Sequence, residues 1–460
     1  MFTKQFRQII QSENIPKISI WIVSILLLFF GFYANTWHVA DQEWFDRHQR
    51  DTESYILGRM VKSRQHGILS AGGLNGYGTF EKVEQQWISS SQIENQYSAF
   101  LNRLSFDEYK TYKSQPGGQG ILFSLLDKLL PLSPTIKLKS FYLLTALLSA
   151  IALTAITGWF YEEFDWIVAL FVLASAVLSQ WLTVFGKNLW WSLWAFYLPM
   201  IVVMYYLKQN RDIENRLPIK FGILILISVS IKCFINGFEY ITTTLVMMVV
   251  PLVYYAILDK WNREQCFKFA FTAGIGSGIA IFLGLTLLCF QIGAVEGSVF
   301  DGIKHVVYSF GKRTHGQPEG FEEIYKASLE AGTIGVVMAY VKGIFFNFNN
   351  YWTTSNSFIA NHFFKLRYIY LIILFLIMSV LLHFRSSGEI EQNRQQNIAL
   401  IWTTWFAVLA PLSWYVIFKA HSQIHLHMSF LLWQMPFTLF GFAVFGALLS
   451  RKLKKAYHVA

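Results

Sequence analysis

Apolar and polar positions along this chain fall into long blocks rather than the short alternations of a soluble fold. Ten apolar stretches approach or exceed the roughly 18–20 residues that carry a helix across a bilayer. They cover about 17–36, 140–160, 166–186, 189–207, 219–235, 238–258, 268–292, 367–384, 397–418 and 428–450. The pattern predicts an all-α polytopic membrane protein of about ten transmembrane helices. Two polar intervals, 37–139 and 293–366, are long, and every other connection is short. The chain therefore divides into a terminus with its first helix (1–36), a first long loop (37–139), helices two to seven (140–292), a second long loop (293–366), and three last helices with a basic tail (367–460).

Periodicity persists inside the loops. From Asp51 to Arg64, the residues Ile56, Leu57, Met60 and Val61 recur at helical spacing, with Arg59, Lys62 and Arg64 on the other side. That arrangement predicts a helix lying in the membrane interface. Ile121–Leu130 and the stretch 331–346, which contains Lys342, read as further interfacial helices, and Ser114–Gly120 reads as a flexible, glycine-rich turn. Residues 70–78 are turn-rich, and Trp87 and Tyr97 stand in a polar stretch after them.

Lys and Arg fix the orientation. They precede the first apolar block (Lys4, Arg7, Lys17) and fill the connections at Lys208, Arg211, Arg216 and Lys220, at Lys260, Arg263 and Lys268, and at Arg385 and Arg394. Arg451, Lys452, Lys454 and Lys455 follow the last. Ten helices put all of these on one side, which the positive-inside rule makes the cytoplasm, with both termini. The acidic connection Glu162, Glu163 and Asp165 disagrees, but acidic residues weigh little in that rule. Both long loops then face outward from an inner (plasma) membrane, an asymmetry that suits an enzyme working on that face better than a channel.

Composition agrees. The chain is 54% hydrophobic and only 14% charged, against about a quarter charged in soluble domains. The net charge of +10 is spread between apolar blocks, so it reflects topology and not a nucleic-acid partner. Cys233, Cys266 and Cys289 show no C-x-x-C spacing, which excludes a disulfide framework or a cysteine zinc site.

Candidate chemistry concentrates at the outer face. Asp41, Glu43, Asp46, Asp51 and Glu53 crowd the opening of the first loop, and a carboxylate there suits a general base. Asp51 and Glu53 are two apart, so within a helix they diverge by about 200° and only one faces a given substrate. Asp51 is also a suitable helix cap. Lys232 lies inside an apolar run with Glu239 just beyond it. Ionisable residues in membrane segments are functional or paired, so this is either an ion pair holding a turn or a cation for a phosphate. Gly311–Gly316 holds Arg313 and His315, residue types that bind phosphate oxygens. Lys419, His421, His425 and His427 form a further cluster. Its i,i+4 histidines suit a divalent metal, polar contacts to a phosphate or an acceptor, or structural hydrogen bonds. No H-E-x-x-H, phosphate-binding Gly-rich loop, dinucleotide motif or G-x-S-x-G elbow is in a usable context, so nucleotide-sugar chemistry has no home here.

One helix, a large outer loop opening on acidic residues, then a helix bundle with a second large outer loop resembles the GT-C superfamily of integral membrane glycosyltransferases. The matching residues are Asp51-Thr52-Glu53, with Asp41-Gln42-Glu43 as a competing pair, and the stretch Phe185–Trp191 where relatives carry polar and aromatic carrier-facing residues. The resemblance implies a polyprenyl-phosphate-linked sugar donor, an inverting displacement, and a glycan, lipid or protein acceptor in the cell envelope. It implies a first-loop carboxylate as base: Asp51, Glu53 or Asp41. In many relatives the acid follows helix 1 directly, which keeps Asp41 and Asp46 as rivals of Asp51. Lys232, Glu239, Arg313, His315, Lys419, His421 and His425 would bind substrate, with no resident metal assigned and membrane lipids around the spans. Two other readings stand beside it. One is an O-antigen ligase or polymerase resting on Arg313 and His315; the other is a non-enzymatic carrier or flippase.

Overall fold

The computed structural model describes residues 17–81, 88–211, 218–351, 364–386 and 390–458. Lys4, Arg7, Trp87 and Arg216 lie outside them. The described chain is mostly helical, and seven of its helices are long and apolar enough to cross a membrane. These are α1 (Lys17–Ala34), α6 (Pro134–Glu163), α10 (Pro218–Asn236), α11 (Ile241–Leu258), α12 (Arg263–Glu296), α16 (Tyr368–Ser386) and the pair α17 (Glu391–Ala407) and α18 (Leu409–Ile417), which run on as one.

The other three expected spans differ. The block at 166–186 breaks into α7 (Trp166–Val177) and α8 (Gln180–Phe185), because Ser179 leaves the helical conformation and its side chain accepts the Leu182 N–H to start a new helix. The next helix, α9 (Leu193–Gln209), begins late. Before it the Asn188 side chain accepts the backbone N–H groups of Trp190 and Trp191 and holds them in a turn. The last, α20 (Phe437–His458), follows a 3₁₀ turn at Ser429–Gln434.

Charged ends meet at one end of the bundle. Glu162 pairs with Lys17 and with Lys208 (3.0 Å), Arg211 with Asp259 (3.0 Å), Lys260 with Glu391 (3.2 Å) and Asp165 with Lys454 (2.9 Å). The acidic 162–165 connection is thus neutralised by basic residues of the same end.

At the opposite end the first long loop folds into a compact layer. It comprises α2 (Gln42–Arg47), α3 (Arg50–His66), strand β1 (Gly76–Thr79), α4 (Ser90–Asn102), strand β2 (Glu108–Thr111) and α5 (Gly118–Leu129). β1 and β2 pair antiparallel, Gly76 opposite Thr111, and a second ribbon joins β3 (Ile344–Asn347) to β4 (Lys365–Arg367), so the chain is not wholly α. The expected interfacial position of α3 is corrected: Ile56, Leu57, Met60 and Val61 are buried, and so is Arg59 on the supposedly wet face. Burying a guanidinium requires acceptors for its N–H groups, and the carbonyls of Gly67, Ile68 and Ser70 accept them. Ser114–Gly120 is no free turn either. Residues 115–120 are buried, and a Cβ on Gly120 would overlap the Asn75 side chain, so glycine is required there by close approach.

The second long loop forms α13 (Val299–Arg313), α14 (Glu323–Glu330), α15 (Thr333–Val341) and, past α18, α19 (Lys419–Ile424) closes over the same end. α13 leaves Phe300, Ile303, Val307 and Phe310 exposed along one side, the pattern of a helix seated in the interface.

Candidate functional site

The site is built around the turn between α10 and α11. Lys232 reaches up from α10, fully buried, and its ammonium donates to the carbonyls of Gly237 (2.9 Å) and Glu239 (2.6 Å). The expected ion pair with the Glu239 carboxylate is replaced by this carbonyl clamp, because a carbonyl pair disperses an ammonium that no carboxylate approaches. Two of its three N–H donors are taken up in this way, so Lys232 holds the turn. Stapling the turn releases the Glu239 side chain to point the other way.

There the Glu239 carboxylate meets Arg313 at the end of α13 (3.2 Å) and accepts from His421 Nε2 on α19 (3.0 Å). Burial alone would raise this carboxyl, but Arg313 and then His421 hold it well below the usual carboxylate range. Burial opposes the Arg313 charge and Glu239 more than restores it. Burial lowers His421, with Glu239 pulling the other way. The imidazoles continue outward: His421 to His425 at 4.3 Å between ring centres, and His425 to His427 at 5.6 Å. Burial depresses His425 far below its ordinary value, and His421 adds to it. His427 is lowered by burial and partly restored by the charge of Asp51.

Asp51 is joined to this cluster through its own helix. Asp51 and Tyr55 are i,i+4 on α3 and share a face, and the Asp51 charge is felt by Tyr55 as well as His427. Tyr55 stacks on Tyr112 at 5.3 Å, and Arg313 donates to the Tyr112 hydroxyl at 3.5 Å. Asp51, Tyr55, Tyr112, Arg313, Glu239 and the three histidines therefore form one continuous series of neighbours. Asp51 and His427 are exposed at its rim, whereas Glu239 and His421 are buried at its floor. Among the described residues the Asp51 carboxylate accepts no hydrogen bond. The N-cap of α3 is Gln49, so Asp51 is not a cap.

Glu53 faces the opposite way, as its two-residue offset requires. It is buried and takes three neutral donors: the hydroxyls of Tyr97 (2.7 Å) and Tyr142 (2.6 Å) and the Leu189 N–H (3.1 Å). Beside it lies a cavity of about 110 Å³ bordered by His48, Glu53, Tyr97, Lys187 and Asn188. His48 is packed edge-on against Phe185 (4.8 Å), and burial, then His427, pushes its pKa down to about 3. The Phe185–Trp191 stretch acts as the wall that seats α3: Asn188 donates to the Gln49 carbonyl (3.4 Å) and the Trp191 indole to the Gln49 side chain (3.2 Å).

Several expected site residues lie elsewhere. Asp41 is exposed and caps α2, accepting the Trp44 N–H at 3.0 Å. Asp46 stands 3.8 Å from Lys187, on the Glu53 side. His315 is exposed and bonded to the Val416 carbonyl (2.9 Å). Lys419 is buried with its ammonium on the Leu329 carbonyl, which anchors α19 to α14. No group of three or more metal-ligating side chains gathers among the described residues. The sequence reading missed Tyr55 and Tyr112. Tyr55 carried a signal in its spacing from Asp51, whereas Tyr112 carried none, since it reaches the site only by the pairing of β1 with β2. No protein-family model, curated protein or solved structure matches this chain.

Proposed function

We propose that this chain is an integral membrane glycosyltransferase of the GT-C type, crossing the membrane about ten times with both termini in the cytoplasm. It transfers a sugar from a polyprenyl-phosphate-linked donor to a cell-envelope glycan, lipid or protein acceptor at the outer face. Asp51 is the base that takes the acceptor hydroxyl proton as the new glycosidic bond forms and the lipid phosphate departs. His425 and His427 border the space for that phosphate and can each turn a ring N–H to it, His421 steadies the Glu239 carboxylate beneath them, and Arg313 supplies fixed positive charge held in place by Glu239. No step calls for a metal.

The observation that supports this reading is the series of neighbours that runs from an unengaged carboxylate on α3 through Tyr55 and Tyr112 to Arg313, Glu239 and the histidines. A base and an anion-stabilising group must border the same space for such a transfer. In a transfer assay with membrane-inserted protein, Asp51→Asn is expected to lower the rate ~100- to 10,000-fold, while Asp41→Asn stays near wild type. Unchanged turnover in Asp51→Asn refutes the assignment. Arg313, half-buried beside Glu239, favours one second reading, an O-antigen ligase or polymerase in which that guanidinium carries the reaction. In that case Arg313→Lys abolishes transfer and Asp51→Asn does not.

A further inference from the structure

A second polar cavity, of about 460 Å³, opens at the edge of the outer layer, where α5 leads into α6. Arg64, Arg103, Lys128 and Lys137 line it, with Asp127 as the single carboxylate. Arg64 forks onto Asp127 (2.6 and 2.9 Å) and Lys137 reaches the same group (3.1 Å). Arg103 and Lys128 are exposed and have no partner among the described residues. Four cations against one carboxylate leave a surplus of three positive charges. The C-termini of α3, α4 and α5 converge on the cavity. Each contributes about −0.5 of a charge at most, which cancels only half of that surplus.

The chemistry next to each lining segment points to the ligand. Leu69 follows Ile68, Leu104 follows Arg103 and Leu129 follows Lys128, and all three leucines are exposed, at 73%, 44% and 65%. Leu132 and Ile136, at the start of α6, continue this apolar lip. A soluble surface has no reason to set a bare leucine beside each of the two unpaired cations, Arg103 and Lys128, whereas a bilayer surface does, with acyl chains below and headgroups above.

We propose that this cavity binds the phosphate headgroup of an anionic membrane lipid, its acyl chains lying along the leucine lip. The site is separate from the Asp51–Arg313 series and does not rest on the glycosyl-transfer reading. Its test uses the purified full chain in detergent micelles, with bound lipid counted by native mass spectrometry. The probes are phosphatidylglycerol, phosphatidylcholine of the same acyl chains, and inorganic phosphate as competitor. Phosphatidylglycerol is expected to bind at least about tenfold tighter than the choline lipid. The Arg103→Asn/Lys128→Gln variant is expected to lose roughly thirtyfold of that affinity, about fivefold per cation. Asn is chosen because Arg103 has a positive φ of 57°, which Asn accepts. An unchanged unfolding midpoint without lipid shows that the variant folds, and each single variant provides the fivefold reading if the double variant does not. Wild-type affinity in the variants, equal binding of the choline lipid, or displacement of phosphatidylglycerol by an equal concentration of inorganic phosphate each overturns the proposal.

Discussion

Two buried carboxylates, Glu53 and Glu239, sit at the same end of the bundle and are satisfied in opposite ways. Glu53 takes only neutral donors, two tyrosines and a backbone amide. Glu239 takes a guanidinium and an imidazole. Neutral donors disperse a charge and leave nothing over, so the Glu53 pocket joins α3, α4, α6 and the Asn188 turn into one rigid unit. Charged partners instead keep a strong field around Glu239, which the imidazoles continue outward, whereas the Lys187 and Asp46 charges beside Glu53 pair with each other at 3.8 Å and, among the described residues, give it no hydrogen bond. Burial of an acid alone says little about its role; the character of its donors distinguishes a joint from a site.

The sharpest way to break that contrast is to remove one partner of the charged pair. Glu239→Gln leaves the half-buried Arg313 without its counter-charge and should destabilise the fold by about 3 kcal/mol, the low end for a buried pair. Thermal unfolding in detergent measures this, and adding Arg313→Met should restore more than half of the loss. Glu53→Gln should cost less, about 1–3 kcal/mol, because the amide that replaces one oxygen turns a donor toward the tyrosine hydroxyls. Parity between the two losses would erase the distinction.

A smaller effect concerns pH. His48 has a folded pKa of about 3 against an ordinary 6.5, so the unfolded chain takes up its proton first as pH falls. Its contribution is whole above pH 6.5 and is lost progressively on descent toward pH 3. His48→Phe, which keeps the ring packing on Phe185, should flatten the fall of the unfolding midpoint with acid below pH 6.5. An identical slope in wild type and variant would place the acid sensitivity elsewhere, on His421 or His425, whose shifts have the same sign.

Local pattern made much of this legible. The apolar blocks locate the long helices, and the spacing of Ile56, Leu57, Met60 and Val61 identifies α3 together with the divergence of its two acids. Partner identity was not legible, because it depends on contacts far apart in sequence. Arg59 read as solvated until the carbonyls of the following turn were seen to surround it. Lys232 was rightly singled out as an isolated cation in an apolar run, but backbone carbonyls, which every residue owns, leave no trace in composition. Lys419 was hidden for the same reason. Arg313 and Glu239 were each noticed, and only the packing of α13 over the α10–α11 turn joins them.

The three bonds to Glu53 also index α3 rotationally, since a helix pinned at one residue has every other bearing set by 100° steps. Asp51 points where it does because Glu53 is latched behind it. With Asp51 as the base proposed above, substitutions at Glu53 that still insert and fold would lower activity by turning α3 rather than by removing a reacting group. An activity screen read together with a measure of helix orientation separates the two acids.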